Sequence, residues 1–208
     1  MRTAHLAALF AASALLAACG KEAAAPAAPS AAASAASTAA AAAPAASSQQ
    51  VSIETIQSET KGFAVGSAMS VRTVYVFFDA QCPHCGALWY AAKPLKSQAK
   101  YVWIPVRLLN DKSEEQGAAI LASSDPAKTM DEHEASMMDR KGGIKGEGDL
   151  GVQRAAVKKN TELFNRYAFG AVPTLVTKNG QTGAVVTHEG SFQTPDLAAF
   201  TGVAVPTQ

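Results

Sequence analysis

Residues 73 to 78, TVYVFF, are β-branched or aromatic throughout, the pattern of a strand buried on both faces and therefore central in a sheet. A short DAQ link follows, and then CPHCGALWYAAKPLKSQAK. There Pro83 suits a first helical turn, and Leu88, Ala91, Ala92 and Leu95 recur at helical spacing. Pro94 is expected to kink that helix. YVWIPVRLL reads as a second strand, with Pro105 pointing to an edge or a bulge because it cannot donate to a ladder. From Ser113 to about Phe169 the pattern is helical in three pieces. The second opens on Asp125-Pro126 and the third follows a glycine-rich break at 142 to 151. AVPTLVT and GAVVTHEG flank Lys178-Asn179-Gly180, which predicts an antiparallel hairpin. Thr194 is expected to cap a last short helix, with Pro195 in its first turn and Gly202 beyond its end.

The first fifty residues carry none of this periodicity. MRTAHLAALFAASALLAAC has one early cation, Arg2, and an apolar run from Leu6 to Ala18, too short for a bilayer span and built like the h-region of an export signal. Its end, Leu16-Ala17-Ala18-Cys19, resembles a bacterial lipobox, which would make Cys19 a lipidated mature N-terminus. Gly20 to about Gln50 is almost entirely Ala, Ser and Pro and reads as a tether, reaching roughly 30 Å if coiled and about 90 Å if extended. The expected organisation is thus signal 1–18, lipid-anchored tether 19–50 and one catalytic domain 51–208.

The chain has 208 residues and a formal charge of +1, so no electrostatic pull toward nucleic acid is visible. It holds three cysteines. Setting Cys19 aside leaves Cys82 and Cys85, which export would place where a thiol pair has redox meaning. At a helix start the first sulfur meets unpaired backbone N–H groups and the positive end of the helix dipole, both favouring thiolate. That makes Cys82 the expected nucleophile and Cys85, one turn on, the thiol that releases a mixed disulfide. His84 between them is expected to add positive charge toward the Cys82 thiolate. Two other readings stand beside this one. A zinc site would need further ligands, for which only His133 and His188 offer themselves, and a purely structural bridge over so short a loop would add little stability.

Smaller features take plainer readings. His133 and His188 read as solvated or strand-surface histidines, and DEHE at 131 to 134 as an exposed helix face. Met137 and Met138 read as packing, and Trp89 as core. Val172-Pro173, after a helix and before the hairpin, has the ordinary reading of a trans proline opening an edge strand.

The order of elements is that of an α/β, thioredoxin-like fold with an inserted helical subdomain, covering about residues 70 to 205. Within that fold the chain resembles the DsbC/DsbG branch of periplasmic disulfide proteins. YVFFDAQCPHC with its Asp79, LWYAAKPL, AAILASSDPAKT at 118 to 129 and NTELFNRYAFGAVPTLV carry the likeness. It implies that Pro173 is cis and lies against the cysteines, and that the backbone of Val172 bonds a bound peptide. It further implies exchange of disulfides with exported cysteine-containing proteins, a redox-active Cys82–Cys85 disulfide in place of any cofactor, and a membrane partner of DsbD type, or of DsbB type if the chain is an oxidase. Gly20 after Cys19 favours outer-membrane sorting by resemblance to enteric lipoproteins.

Three departures qualify the likeness. Residues 51 to 70 are too few for the branch's dimerisation domain, which predicts a monomer. Val172 stands where the isomerase branch has Thr and DsbA-like oxidases have Val. Val76, six positions before Cys82, stands where thioredoxin and DsbA hold a buried acid, so the proton of Cys85 must go to water or to another group. The expected function is disulfide interchange on the reductase or isomerase side. DsbA-like oxidation, a non-enzymatic chaperone and a metal-binding protein are the alternatives.

Overall fold

The structure is a computed structural model and describes residues 49–205. The leader, Cys19 and the tether up to residue 48 lie outside the described residues. A five-stranded sheet runs in the order β1-β3-β2-β4-β5. Its strands are β1 (Phe63–Gly66), β2 (Thr73–Phe78), β3 (Lys100–Pro105), β4 (Thr174–Lys178) and β5 (Val185–Glu189). Only the β2–β3 pair among these neighbours is parallel, and the others are antiparallel.

β2 is central, as its sequence predicts, and its alternation divides the core. Val74, Val76 and Phe78 point to one face and Tyr75 and Phe77 to the other, all buried. The first face is covered by α2 (Pro83–Ala92), α6 (Thr194–Thr201) and parts of α3 (Asp111–Ala122) and α4 (Pro126–Met138). They contribute Leu88, Trp89, Leu197, Ile120 and Met130. Trp103 sits at the centre of an aromatic group there, its ring centroid 5.0 Å from that of Trp89 and 5.6 Å from that of Phe78, both edge-on. The second face is covered by α1 (Ile53–Glu59) and α5 (Gly151–Arg166), through Ile53, Ile56, Leu163 and Phe164, with Tyr167 at the C-cap of α5. Of the three helices in the inserted stretch, α5 therefore also forms a layer of the main core.

Several local expectations are corrected. The fold starts near residue 53 and not 70, because α1 buries Ile56 and β1 pairs with β3 from Phe63↔Trp103 to Gly66↔Lys100. Pro94 does not kink a continuing helix: α2 stops at Ala92 and Lys93–Leu95 form a 3-10 turn. β3 is internal, yet Pro105 is tolerated, because β1 ends its pairing at Trp103 and the ladder to β2 resumes through Val106 N–H to the Phe78 carbonyl. The hairpin turn runs over 179–184, with the Asn179 side chain accepting from the N–H groups of Gln181 and Thr182. The left-handed backbone falls at Gly183. Thr194 does not cap α6. Its hydroxyl donates to the Ala91 carbonyl of α2 at 2.9 Å, which ties the last helix to the active one. Gly202 ends α6 in the left-handed conformation, as expected.

Candidate active site

The site forms where β2 hands the chain to α2. Cys82 is the N-cap of α2, with extended backbone (φ −91°, ψ 115°), and Pro83 occupies the first turn, where a missing N–H costs nothing. The first α2 N–H groups fold back on Cys82, those of Cys85 and Gly86 donating to its carbonyl at 3.0 and 3.3 Å. Cys82 is 7% exposed and Cys85 wholly buried, and both are free thiols.

The two thiols are driven apart. Cys82 is pulled from an ordinary value of 9.0 down to about 6, chiefly by a hydrogen bond from the Cys85 thiol, against burial, and with help from the backbone N–H groups of Cys85 and His84. The positive charge of His84 comes last among these causes, and the residue is exposed. The helix start and the partner thiol therefore set the Cys82 thiolate more than the imidazole does. Cys85 is pushed well above the ordinary thiol range by burial and by its neighbour Cys82. One thiol is shifted toward the thiolate at neutral pH and the other toward keeping its proton, a split of the kind that thiol exchange uses.

Val172-Pro173 is cis, and the Val172 carbonyl lies 3.5 Å from Cys82 Sγ, placed to accept from it while the thiol holds its proton. The structure thus brings together Cys82, Pro83, His84, Cys85, Val172 and Pro173 from two ends of the chain.

What sequence reading missed lies beneath the cysteines. Asp79 is wholly buried. Its Oδ1 accepts from the Gln81 N–H at 2.8 Å, and its Oδ2 from the Leu108 and Leu109 N–H groups at 2.8 and 3.0 Å. It ties the approach to Cys82 to the exit of β3. The readings of His133 and of DEHE as surface features are wrong in half their residues: Asp131 and Glu132 are exposed, but His133 and Glu134 are buried. His133 Nε2–H donates to the Ala80 carbonyl at 2.7 Å while its Nδ1 accepts from the Ile144 N–H at 3.3 Å, which fixes a neutral ring. Burial also holds its pKa below the usual range. The carboxyl of Glu134 lies against Gly86 and is raised from 4.5 to about 7, by burial first and by Cys82 second. The hint was available, since Met130, His133, Glu134 and Met137 share one face of a helix at i, i+3, i+4 and i+7.

The remaining features divide. Trp89 is core, with its indole N–H donating to Asp131 at 2.7 Å. Met137 accepts weakly from Gln81 at 3.6 Å, and Met138 is exposed. His188 stacks on Phe192 at the β5 edge. Among the described residues no group of three or more His, Cys, Asp or Glu side chains is placed to hold a metal ion.

No protein-family model matches the chain. A thiol:disulfide interchange protein DsbG from Pseudomonas aeruginosa is 32% identical over 145 residues, which are 67% of this chain and 54% of that protein. The Escherichia coli K12 protein of the same name is 43% identical over 65 residues, 30% of this chain and 26% of its own. This chain therefore matches about half of the first relative's length and about a quarter of the second's. Among solved structures, a periplasmic thioredoxin-like protein from Salmonella enterica serovar Typhimurium superposes with a TM-score of 0.56 at 13% identity, covering 74% of this chain and 97% of that one. A disulfide interchange protein from Neisseria gonorrhoeae gives 0.53 at 20%, covering 68% and 94%. At those identities the superpositions establish the fold. By sequence over the shared region, and by a thioredoxin-like fold with two divided thiols at the start of its active helix, this chain belongs to the DsbG-type thiol:disulfide interchange proteins.

Proposed function

We propose that the chain exchanges disulfides with exported, cysteine-containing proteins on the periplasmic side of a bacterial membrane, with Cys82 as attacking thiolate and Cys85 as resolving thiol. The observation that carries this is the split between the two sulfurs at the start of α2, one lowered to about 6 and one raised. Thiol exchange runs through the thiolate, and a low-pKa thiol also leaves readily, so Cys82 both opens a substrate disulfide and departs from a mixed one. The Val172 carbonyl beside Cys82 supplies an acceptor on the peptide side of the site. Anchoring through Cys19, a monomeric state and electrons from a DsbD-type membrane reductase complete the proposal.

The direction of electron flow is proposed as reducing or isomerising, on the strength of the DsbG-type body. A second reading has its own support: Val172 and the strongly lowered Cys82 thiol favour a reduced form stable enough to make the disulfide an oxidant. Acid-quenched cells alkylated with a mass tag separate the two. A reductase or isomerase should be recovered with Cys82 and Cys85 mostly tagged as thiols, and recovery mostly as the disulfide would replace this reading by the oxidase one.

A further inference from the structure

Resolution of a mixed disulfide requires the Cys85 thiol to lose its proton, and Cys85 is fully buried with its thiol pushed up. β2 offers no acceptor, since Val76 stands in the sheet beneath the site. Asp79 is engaged, with each carboxylate oxygen accepting from backbone N–H groups. His133 is engaged at both ring nitrogens. The buried carboxyl left over among the described residues is that of Glu134. Glu134 is 4% exposed, and its Oε1 has no hydrogen-bond partner among the described residues. A carboxylate oxygen in that state is costly to bury unless it serves some purpose. Glu134 Oε2 fills the space where residue 86 would carry a side chain, so that only glycine at 86, the residue after Cys85, admits the carboxyl to the start of α2, where Cys82 is the thiol that acts on it.

We propose that Glu134, reaching the active helix from α4, is the proton acceptor and donor for Cys85, in the role for which β2 holds no acid. In the resolving step the Cys85 S–H proton passes to the Glu134 carboxylate and the Cys85 sulfur attacks Cys82 Sγ. The Cys82–substrate S–S bond breaks as the Cys82–Cys85 bond forms, and the substrate leaves as a thiolate, reduced by the two electrons the pair gives up. In reverse, a substrate thiolate attacks Cys82, the Cys82–Cys85 bond breaks, and Glu134 returns its proton to the departing Cys85 sulfur. Cys82 is the charged group that faces the carboxyl from α2, and its thiolate helps to keep the proton on Glu134 after reduction. On α4 itself His133 is neutral, and Asp131 is turned to Lys93 and Trp89.

This inference rests on the proposed exchange function, and the test separates the two. Cys82 is loaded with thionitrobenzoate as a mixed disulfide, and release of the chromophore by Cys85 is followed against pH in the wild type, Glu134→Gln and Glu134→Asp. Alkylation of reduced Cys82 is followed in parallel. Wild-type release should rise through a break no higher than about 7, because the thiolate that helps raise the carboxyl is absent from the mixed disulfide. Glu134→Gln should slow release about tenfold or more near neutrality and move the rise to higher pH, Glu134→Asp should recover part of it, and Cys82 alkylation should persist with its midpoint shifted down. Equal release in wild type and Glu134→Gln, with alkylation intact, would overturn the role of Glu134 alone. An unreactive Cys82 would instead overturn the exchange function. Should Glu134→Gln not fold, the wild-type profile decides: a single rise in the range of an isolated buried thiol, with no break at or below 7, removes Glu134 from the step.

Discussion

Cys82→Ser should reduce thiol exchange with insulin to the rate of buffer alone, while Cys85→Ser should retain the first chemical step. The expectation follows from where the two sulfurs sit. Cys82 meets the open N–H groups at the start of α2 and a hydrogen bond from Cys85, whereas Cys85 is enclosed and holds its proton. With its pKa at about 6, roughly 90% of Cys82 is thiolate at pH 7, against about 1% for a thiol at the ordinary 9.0. A serine hydroxyl offers no comparable anion. The same shift fixes a sign for stability. Between about pH 6 and 9 the unfolded thiol holds a proton that the folded one has lost, so Cys82 should contribute stability that grows as pH rises across that window, against an opposite contribution from Glu134 below about 7. The Cys82 contribution should be lost on acidification through 6. Urea unfolding of the reduced protein at pH 7 and pH 8.5, above the range in which the raised Glu134 carboxyl contributes with the opposite sign, measures it, and Cys82→Ser should flatten this contribution.

Asp79→Ala should cost on the order of 3 kcal/mol. The carboxylate is wholly buried and satisfies three backbone N–H groups, of Gln81, Leu108 and Leu109, in charge-assisted hydrogen bonds. Truncation removes both acceptor oxygens at once, and each of the three donors left without a partner costs about 1–3 kcal/mol, less where water enters beside the exposed Leu109. Such a loss is near the upper range for single substitutions because it dismantles a network and not one contact. It should appear as a lower urea midpoint at unchanged m. The approach to Cys82 should loosen as well, since Asp79 holds both the turn into the cysteines and the loop leaving β3. An unchanged midpoint would mean that water or another group replaces the carboxylate without penalty.

The parts of the fold that sequence revealed are those whose signal is local. β2 is a six-residue apolar strand, the cysteines stand at a proline-led helix start, and Gly202 marks the end of α6, each readable within a few residues. The parts it hid depend on distant partners. β1 has only four residues and becomes a strand through β3, and α1 is identified by Ile56 entering a core made by α5 and the sheet. Thr194 stands where a cap belongs, but its hydroxyl is drawn away by Ala91. Glu134 was hidden for a related reason. Charged residues in a run such as DEHE are normally solvated, and nothing local records that Gly86, 48 positions earlier, leaves a space for this one.

The central claim is that Cys82 attacks and Cys85 resolves. Its most direct test is covalent capture: reduced Cys85→Ser is mixed with insulin, quenched in acid, and the adduct mapped by mass spectrometry. A persistent mixed disulfide should form through Cys82, and the reciprocal Cys82→Ser protein should capture nothing. Absence of any adduct in Cys85→Ser, or equal capture through Cys85 in Cys82→Ser, would contradict the account.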